Sequence, residues 1–171
     1  MRYFLTMLFA MLFATSAMAT DLSVDVGTRK DAGVTGQFSR VTETRVQDGA
    51  LGVQVTAGTV ARVETDYSIA VPYVSGLTVA AGLGAVTSAT GHYTYSISPK
   101  LTVPVTDKVA AFASFKYRDA FKSNLVSDKT EVSDIGVSYA VYKNVAVTAK
   151  LEHSTGDQRY NAGLVGAAYT F

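Results

Sequence analysis

No cysteine occurs among the 171 residues. That excludes a disulfide framework, a thiolate metal site and the acylated cysteine of a lipoprotein. Histidine is nearly as scarce: His92 and His153 are the only two, far apart in the chain. No H-E-x-x-H, P-loop or G-x-S-x-G pattern is present, so no metal, cofactor or catalytic site is expected. An excess of one charge is missing too. The formal net charge is +1, with no basic stripe, which sets nucleic acid aside as a partner. After the N-terminal segment no run approaches 18 consecutive apolar residues, so no helix is expected to cross a membrane. No helical period survives in that part either. What remains is rich in Val, Thr and Tyr and poor in Leu, a composition that favours strands.

The N-terminal segment has a separate logic. Met1-Arg2 gives a positive start, Tyr3 to Ala14 is apolar apart from Thr6, and Ala17-Met18-Ala19 is an A-x-A cleavage site. These features predict a secretory signal peptide over 1–19, with one domain over 20–171 beginning at Thr20. The apolar run is too short to cross ~30 Å of hydrocarbon as an anchor. Removing Arg2 leaves 14 basic and 14 acidic side chains.

From Leu22 onward the chain alternates. Leu22, Val24 and Val26 begin it, and Val34, Gly36 and Phe38 follow after a turn at Lys30 to Gly33. Val41 falls out of phase, which predicts a bulge or an early strand end. Leu51 to Ala57 alternates, and Val63 to Tyr73 reads as one long run. Leu77 to Ala85 follows, then Tyr93 to Val105, in which Pro99 and Pro104 predict a bulge or local break. Val109 to Tyr117, Ile135 to Val141, Val145 to Leu151 and a final strand complete the series. The count is ten strands, or eight if the region from Gly33 to Thr59 pairs less regularly. Tight connections at Asp107-Lys108 and Lys143-Asn144 alternate with longer ones, of which Lys122 to Thr130 is the longest.

The last strand carries a resemblance. Phe171, Tyr169, Ala167 and Val165 share one face of Tyr160 to Phe171, and an aromatic pair closes the chain where polar tails are usual. This ending resembles the C-terminal strand of bacterial outer-membrane β-barrels. The resemblance implies that Phe171, Tyr169, Ala167 and Val165 form a signal read by the barrel assembly machinery, with Phe171 the last residue of the closing ladder. Signal peptide, alternating strands and terminal Phe together resemble the small barrels of the opacity-protein and OmpX-like type. That resemblance implies an all-β fold, an antiparallel transmembrane barrel in the outer membrane, with lipid around it and both termini on the periplasmic side. A monomer is expected, and the residues do not specify a partner for the outer loops.

A secreted β-sandwich also alternates, but its second face should be dominated by charge. Here that face is mostly Ser, Thr, Gly and Ala with a few charges, which suits the interior of a narrow barrel. Tyr67, Tyr73, Tyr93, Tyr95, Tyr117, Tyr139 and Tyr169 fall on the apolar face, several near strand ends as an interfacial girdle requires. Tyr142 and Tyr160 fall on the opposite one. Glu64, Lys116, Arg118, Asp134, Lys150 and Glu152 are the expected lumen charges. Lys150 and Glu152, with Asp134 and Lys116 on neighbouring strands, present opposed signs that would plug the interior. About eight strands leave room only for side chains, whereas open porins use about 16.

One stretch invites catalysis. Glu152-His153-Ser154-Thr155 is comparable with the lipid A 3-O-deacylases, which use a His and a nearby Ser. Residues sharing a strand face are two apart, so Thr155, rather than Ser154, stands beside His153. The pattern therefore departs from that family, and His153 reads as an interfacial residue at the outer strand end. The expected role is structural or surface-interacting and not enzymatic. A small solute pore is the alternative, with a lipid A-modifying enzyme behind it.

Overall fold

The computed structural model describes residues 21–31, 39–58, 61–86, 93–121 and 129–171. The expected signal peptide, Val34, Gly36, Phe38, His92 and residues 122–128 of the longest polar loop lie outside the described residues. Among the described residues there are ten strands and no helix: β1 (Asp21–Asp31), β2 (Ser39–Asp48), β3 (Leu51–Ala57), β4 (Arg62–Ala70), β5 (Leu77–Val86), β6 (Tyr93–Pro104), β7 (Val109–Ala120), β8 (Thr130–Tyr142), β9 (Val145–Gly156) and β10 (Tyr160–Thr170). Each pairs antiparallel with its chain neighbours, and β1 pairs with β10 from Asp21↔Thr170 to Asp31↔Tyr160, closing the barrel. The eight-strand alternative is excluded: the region from Gly33 to Thr59 contributes β2 and β3, each paired on both edges.

Alternation decides which way each side chain points. On β4, Arg62, Glu64 and Asp66 are buried while Tyr67 and Ile69 are exposed. On β9, Glu152 and Ser154 are buried while Val147, Leu151 and His153 are exposed. A soluble domain would bury its Leu, Ile and Tyr and expose its Glu and Arg. Here the polarity is reversed, as a barrel whose solvent is hydrocarbon requires.

Several details refine the sequence reading, and at Pro99 one of its two alternatives, the local break, is realised. Val41 causes no bulge: β2 keeps one register with β1 throughout, and Val41 points inward onto Leu164 and Ala162. It broke phase because the interior is apolar at that spot. The run to Tyr73 stops at Ala70. Pro72 has no N–H for a ladder, the Val71 N–H donates to the Leu77 carbonyl at 2.9 Å, and Tyr73 sits fully exposed at φ 67°. Pro99 makes a break without a bulge. Ser98 and Pro99 have no β7 partners, but Ile97↔Tyr117 and Lys100↔Ser114 keep the same register. The bulge lies in β8, between Ala140↔Ala146 and Tyr142↔Val145. Its extra residue turns Tyr142 to the outward face of Val145, where two-residue counting had placed it inward.

The termini share one end with the turns 49–50, 71–76, 105–108 and 143–144. The other end holds the connections 32–38, 58–61, 87–92, 121–129 and 157–159. The far connections include the longest, but the contrast is modest because 71–76 spans six residues. The connection after β6 is four residues, 105–108, rather than the expected two. Asn144 ties the near end together: its Nδ2 donates to the Thr170 carbonyl, and its own carbonyl accepts the Thr170 N–H, both at 3.0 Å.

Candidate functional site: the barrel interior

The inward positions collect the charge. Arg29, Arg45, Arg62, Lys100, Lys116, Arg118 and Lys150 face Asp25, Asp31, Glu43, Glu64, Asp66, Asp134 and Glu152, with Asp21 an eighth acid of the same register exposed at the rim. An ion buried without a partner is costly, so an interior this charged has to be internally matched. Two layers of contact do the matching, and a third, apolar one packs beside them.

The first layer joins alternate strands. The Arg45 guanidinium on β2 grips Asp66 on β4 with two bonds of 2.7 Å. Between them β3 offers Gly52, where a Cβ would collide with the Arg45 guanidinium and the Asp66 carboxylate. Ser96 on β6 donates to Glu64 on β4 at 2.6 Å, and the intervening β5 residue is Gly82. Thr148 on β9 donates to Asp25 on β1 at 2.7 Å, passing over Gly166 of β10. In each case a missing side chain on the middle strand opens a path between the two outer ones. Fork-shaped Arg–carboxylate pairing of the Arg45–Asp66 kind is among the stronger polar contacts.

The second layer spans the lumen. Lys116 on β7 reaches Glu64 on β4 at 3.0 Å and Gln54 on β3 at 3.4 Å. Lys150 on β9 reaches Glu43 on β2 at 2.6 Å, with Asp25 of β1 at 3.5 Å and Glu152 of its own strand at 3.2 Å. Both lysines act as struts to carboxylates three strands round the barrel. Of the opposed charges expected at similar heights, Lys150 meets Glu152, while Lys116 turns to Glu64 instead of Asp134. Asp134 accepts from Ser114 at 2.8 Å and lies opposite Glu152 in the ladder. Arg118 Nη2 donates to Gln158 at 3.4 Å.

The third layer is apolar. Val41, Ala162 and Leu164 form a buried cluster with Tyr160 packed against it, toward the end away from the termini. The Arg29 guanidinium lies 3.9 Å from the Tyr160 ring centroid and is paired with Asp31. Two-residue alternation gave no warning of this cluster. Its one signal was a Val out of phase on β2 and a Leu among small residues on β10. Around the same half, Thr94, Thr130 and Ser154 are almost completely buried.

The Glu152-His153-Ser154-Thr155 run is divided between faces. Glu152 and Ser154 are buried inside, while His153 and Thr155 stand exposed outside. His153 Nδ1 lies 2.7 Å from Asn161 Oδ1, and Thr155 bonds Glu131 at 3.5 Å. His153 therefore has neither Glu152 nor Ser154 on its side of the wall. Among the described residues no cluster of His, Asp and Glu is arranged to hold a metal.

At the end of the closing strand, Tyr169 pairs with Leu22 and Val145 and packs edge-on against Phe171, ring centroids 4.9 Å apart. Val165 and Ala167 continue the same outward face. Phe171 itself lies one residue beyond β10, so it is not the last rung of the ladder as the sequence reading had it.

No family model matches the chain, and no curated relative matches it. Solved structures do. The translocator domain of the autotransporter NalP from Neisseria meningitidis aligns over 97% of this chain and 95% of its own, with a TM-score of 0.50 and 15% identity. Neisserial surface protein A covers 88% and 96% at 15% identity and TM-score 0.45. A KdgM porin covers 87% and 99% at 15% identity and TM-score 0.47. The likeness to the translocator domain is one of fold.

Proposed function

We propose that this chain is a bacterial outer-membrane barrel, closed by its own side chains, with a structural or surface-interacting role. The membrane setting is supported by where charge faces outward. Within the strands, Lys30, Arg40, Asp48, Asp119 and Glu131 are the outward charges, each at an end of its strand or one residue in from it. A charge at the middle of a lipid face would cost about 2–4 kcal/mol, and no strand places one there. Export through the 1–19 signal peptide, and delivery by an assembly machinery that reads Phe171, Tyr169, Ala167 and Val165, belong to the same reading.

One observation carries the closed state: Lys116 and Lys150 both cross the lumen to carboxylates three strands away. A water-filled pore would leave these charges on the wall, free to tune a passing ion. Here they are spent on carboxylates, and toward the far end Thr94, Thr130 and Ser154 are almost completely buried. Catalysis has less to build on, since His153 is separated from Glu152 and Ser154 by the wall itself.

Planar-bilayer recording on refolded protein tests the reading. The expected trace shows no stable, ion-selective steps. Steady open steps with consistent selectivity would instead establish the solute pore.

A further inference from the structure

The outward wall changes character near the far end of β9, β10, β1 and β2. Across these strands the ladder lines up Ala149, Val165 and Val26, then Leu151, Gly163, Thr28 and Arg40, then His153, Asn161 and Lys30. The apolar belt thus gives way, within two rows, to a polar and cationic one. Successive rows on one face are about 7 Å apart. Lys30 and Arg40 are exposed and lie on diagonal positions of adjacent strands, close enough for their side chains to converge. Neither is in an ion pair with any described residue. Arg159, two residues before Asn161, is exposed as well, with its Nε donating to the Gly156 carbonyl at 3.1 Å.

Acids near this height are engaged or turned away. Asp31 points inward and holds Arg29. Glu131, on β8, receives Thr155, and Asp119, on β7, receives Tyr117 at 3.2 Å. The connection 32–38 contains no acidic residue. On β3 to β6 the outward positions at this end are Val55, Ala57, Val63, Ala85 and Tyr93, without charge. On the outward strand faces at this end the cations therefore occupy one sector, and Lys129, exposed just before β8, donates its N–H to Asp157 at 2.9 Å.

We infer that this sector, Lys30 and Arg40 flanked by Asn161, His153 and Arg159, binds the phosphate of an anionic lipid headgroup in the leaflet at the loop end of the barrel. The inference rests on the membrane reading above. A lipid is favoured over a soluble anion because the cations stand on the wall itself, directly beyond side chains that would touch acyl chains. A lipid packed against Val26 and Val165 brings its headgroup to the Arg40 and Lys30 rows. Arginine can grip two phosphate oxygens at once, lysine adds a point charge, and Asn161 supplies a neutral donor.

The test uses the chain refolded into phosphatidylcholine vesicles with and without phosphatidylglycerol, checked by flotation. Detergent-released protein is then examined by native mass spectrometry for retained lipid. The wild-type chain should retain phosphatidylglycerol in preference to phosphatidylcholine. The Lys30→Gln/Arg40→Gln double variant, and Arg40→Gln alone to a lesser degree, should reduce that retention, the double by about five- to tenfold. Lys108→Gln/Lys143→Gln, which removes two exposed cations at the other end, should leave it unchanged. Equal loss in both double variants overturns the assignment to this sector. Release of the retained lipid by millimolar inorganic phosphate, with no preference among headgroups, overturns the lipid as its occupant. A chain that floats but retains no anionic lipid overturns the inference alone; a chain that does not float overturns the membrane reading as well.

Discussion

Thr148 and Asp25 are separated by a whole strand, yet Thr148 Oγ1 donates to Asp25 Oδ1 at 2.7 Å. Gly166, on the strand between, pairs with both, and a Cβ there would run into the Asp25 carboxylate and the Val24 carbonyl. Gly166→Ala is therefore expected to destabilise the barrel by about 1–3 kcal/mol, the usual cost of overfilling a packed site. Gly163→Ala is the control, because an added Cβ there meets only Leu151 Cδ2, at 3.7 Å. Urea unfolding from vesicles should separate the two, and equal midpoints would contradict the account of the glycine.

Lys150 is the counter-ion of a crowded site. Removing its charge as Lys150→Met leaves Glu43, Asp25 and Glu152 facing one another. The expected loss is about 3–5 kcal/mol, the cost of stranding buried charge. Adding Glu43→Gln should recover part of that loss, because one of the stranded acids is then neutral. Purely additive effects in the unfolding midpoints would mean that the strut does not exist as a pair.

The two faces of β9 give a sharper contrast. Val147 is exposed on the outward side, two residues in from the start of β9, whereas Thr148 points inward toward Asp25. Val147→Arg puts a charge on the lipid face near its edge, so its cost should fall below the value of about 2–4 kcal/mol for a midplane charge yet still be measurable in a bilayer. Thr148→Arg places its guanidinium near Asp25 and should be better tolerated. Refolding yield into vesicles measures both, and equal damage would exchange or erase the faces.

Deleting Phe171 removes no ladder rung, since β10 ends at Thr170. It removes one ring packed against Tyr169. Refolding into detergent should be nearly normal, while outer-membrane levels in cells should fall sharply if the terminus is the assembly signal. Normal cellular levels alongside failed refolding would make Phe171 a packing residue only.

How much of this was legible in the sequence follows from what each contact depends on. A strand in lipid has one face set by hydrocarbon, so the period of two survives in Val145, Val147, Ala149 and Leu151 and gives the strand count and the faces. It fails where the local rule changes. Val41 and Leu164 are apolar for each other's sake, inside. Tyr142 is turned outward by a bulge whose only trace is an extra residue in β8. The cross-lumen struts were the least readable. Which carboxylate Lys116 reaches depends on barrel curvature, and curvature is not written along one strand. Yet Gly52, Gly82 and Gly166 marked the gaps through which side chains on alternate strands meet.

The absence of cysteine allows a spin label to be placed at a single introduced thiol without background. Labels at positions 147, 148 and 149 in vesicle-embedded protein can be probed with dissolved oxygen, which enters lipid, and with a water-soluble nickel chelate. The account predicts that Val147→Cys and Ala149→Cys labels meet oxygen and are hidden from nickel, while the Thr148→Cys label is hidden from both. Free access of nickel to position 148 would mean an open aqueous lumen. Access to 147 and 149 would mean that this wall faces water, contradicting the membrane-spanning, self-closed barrel altogether.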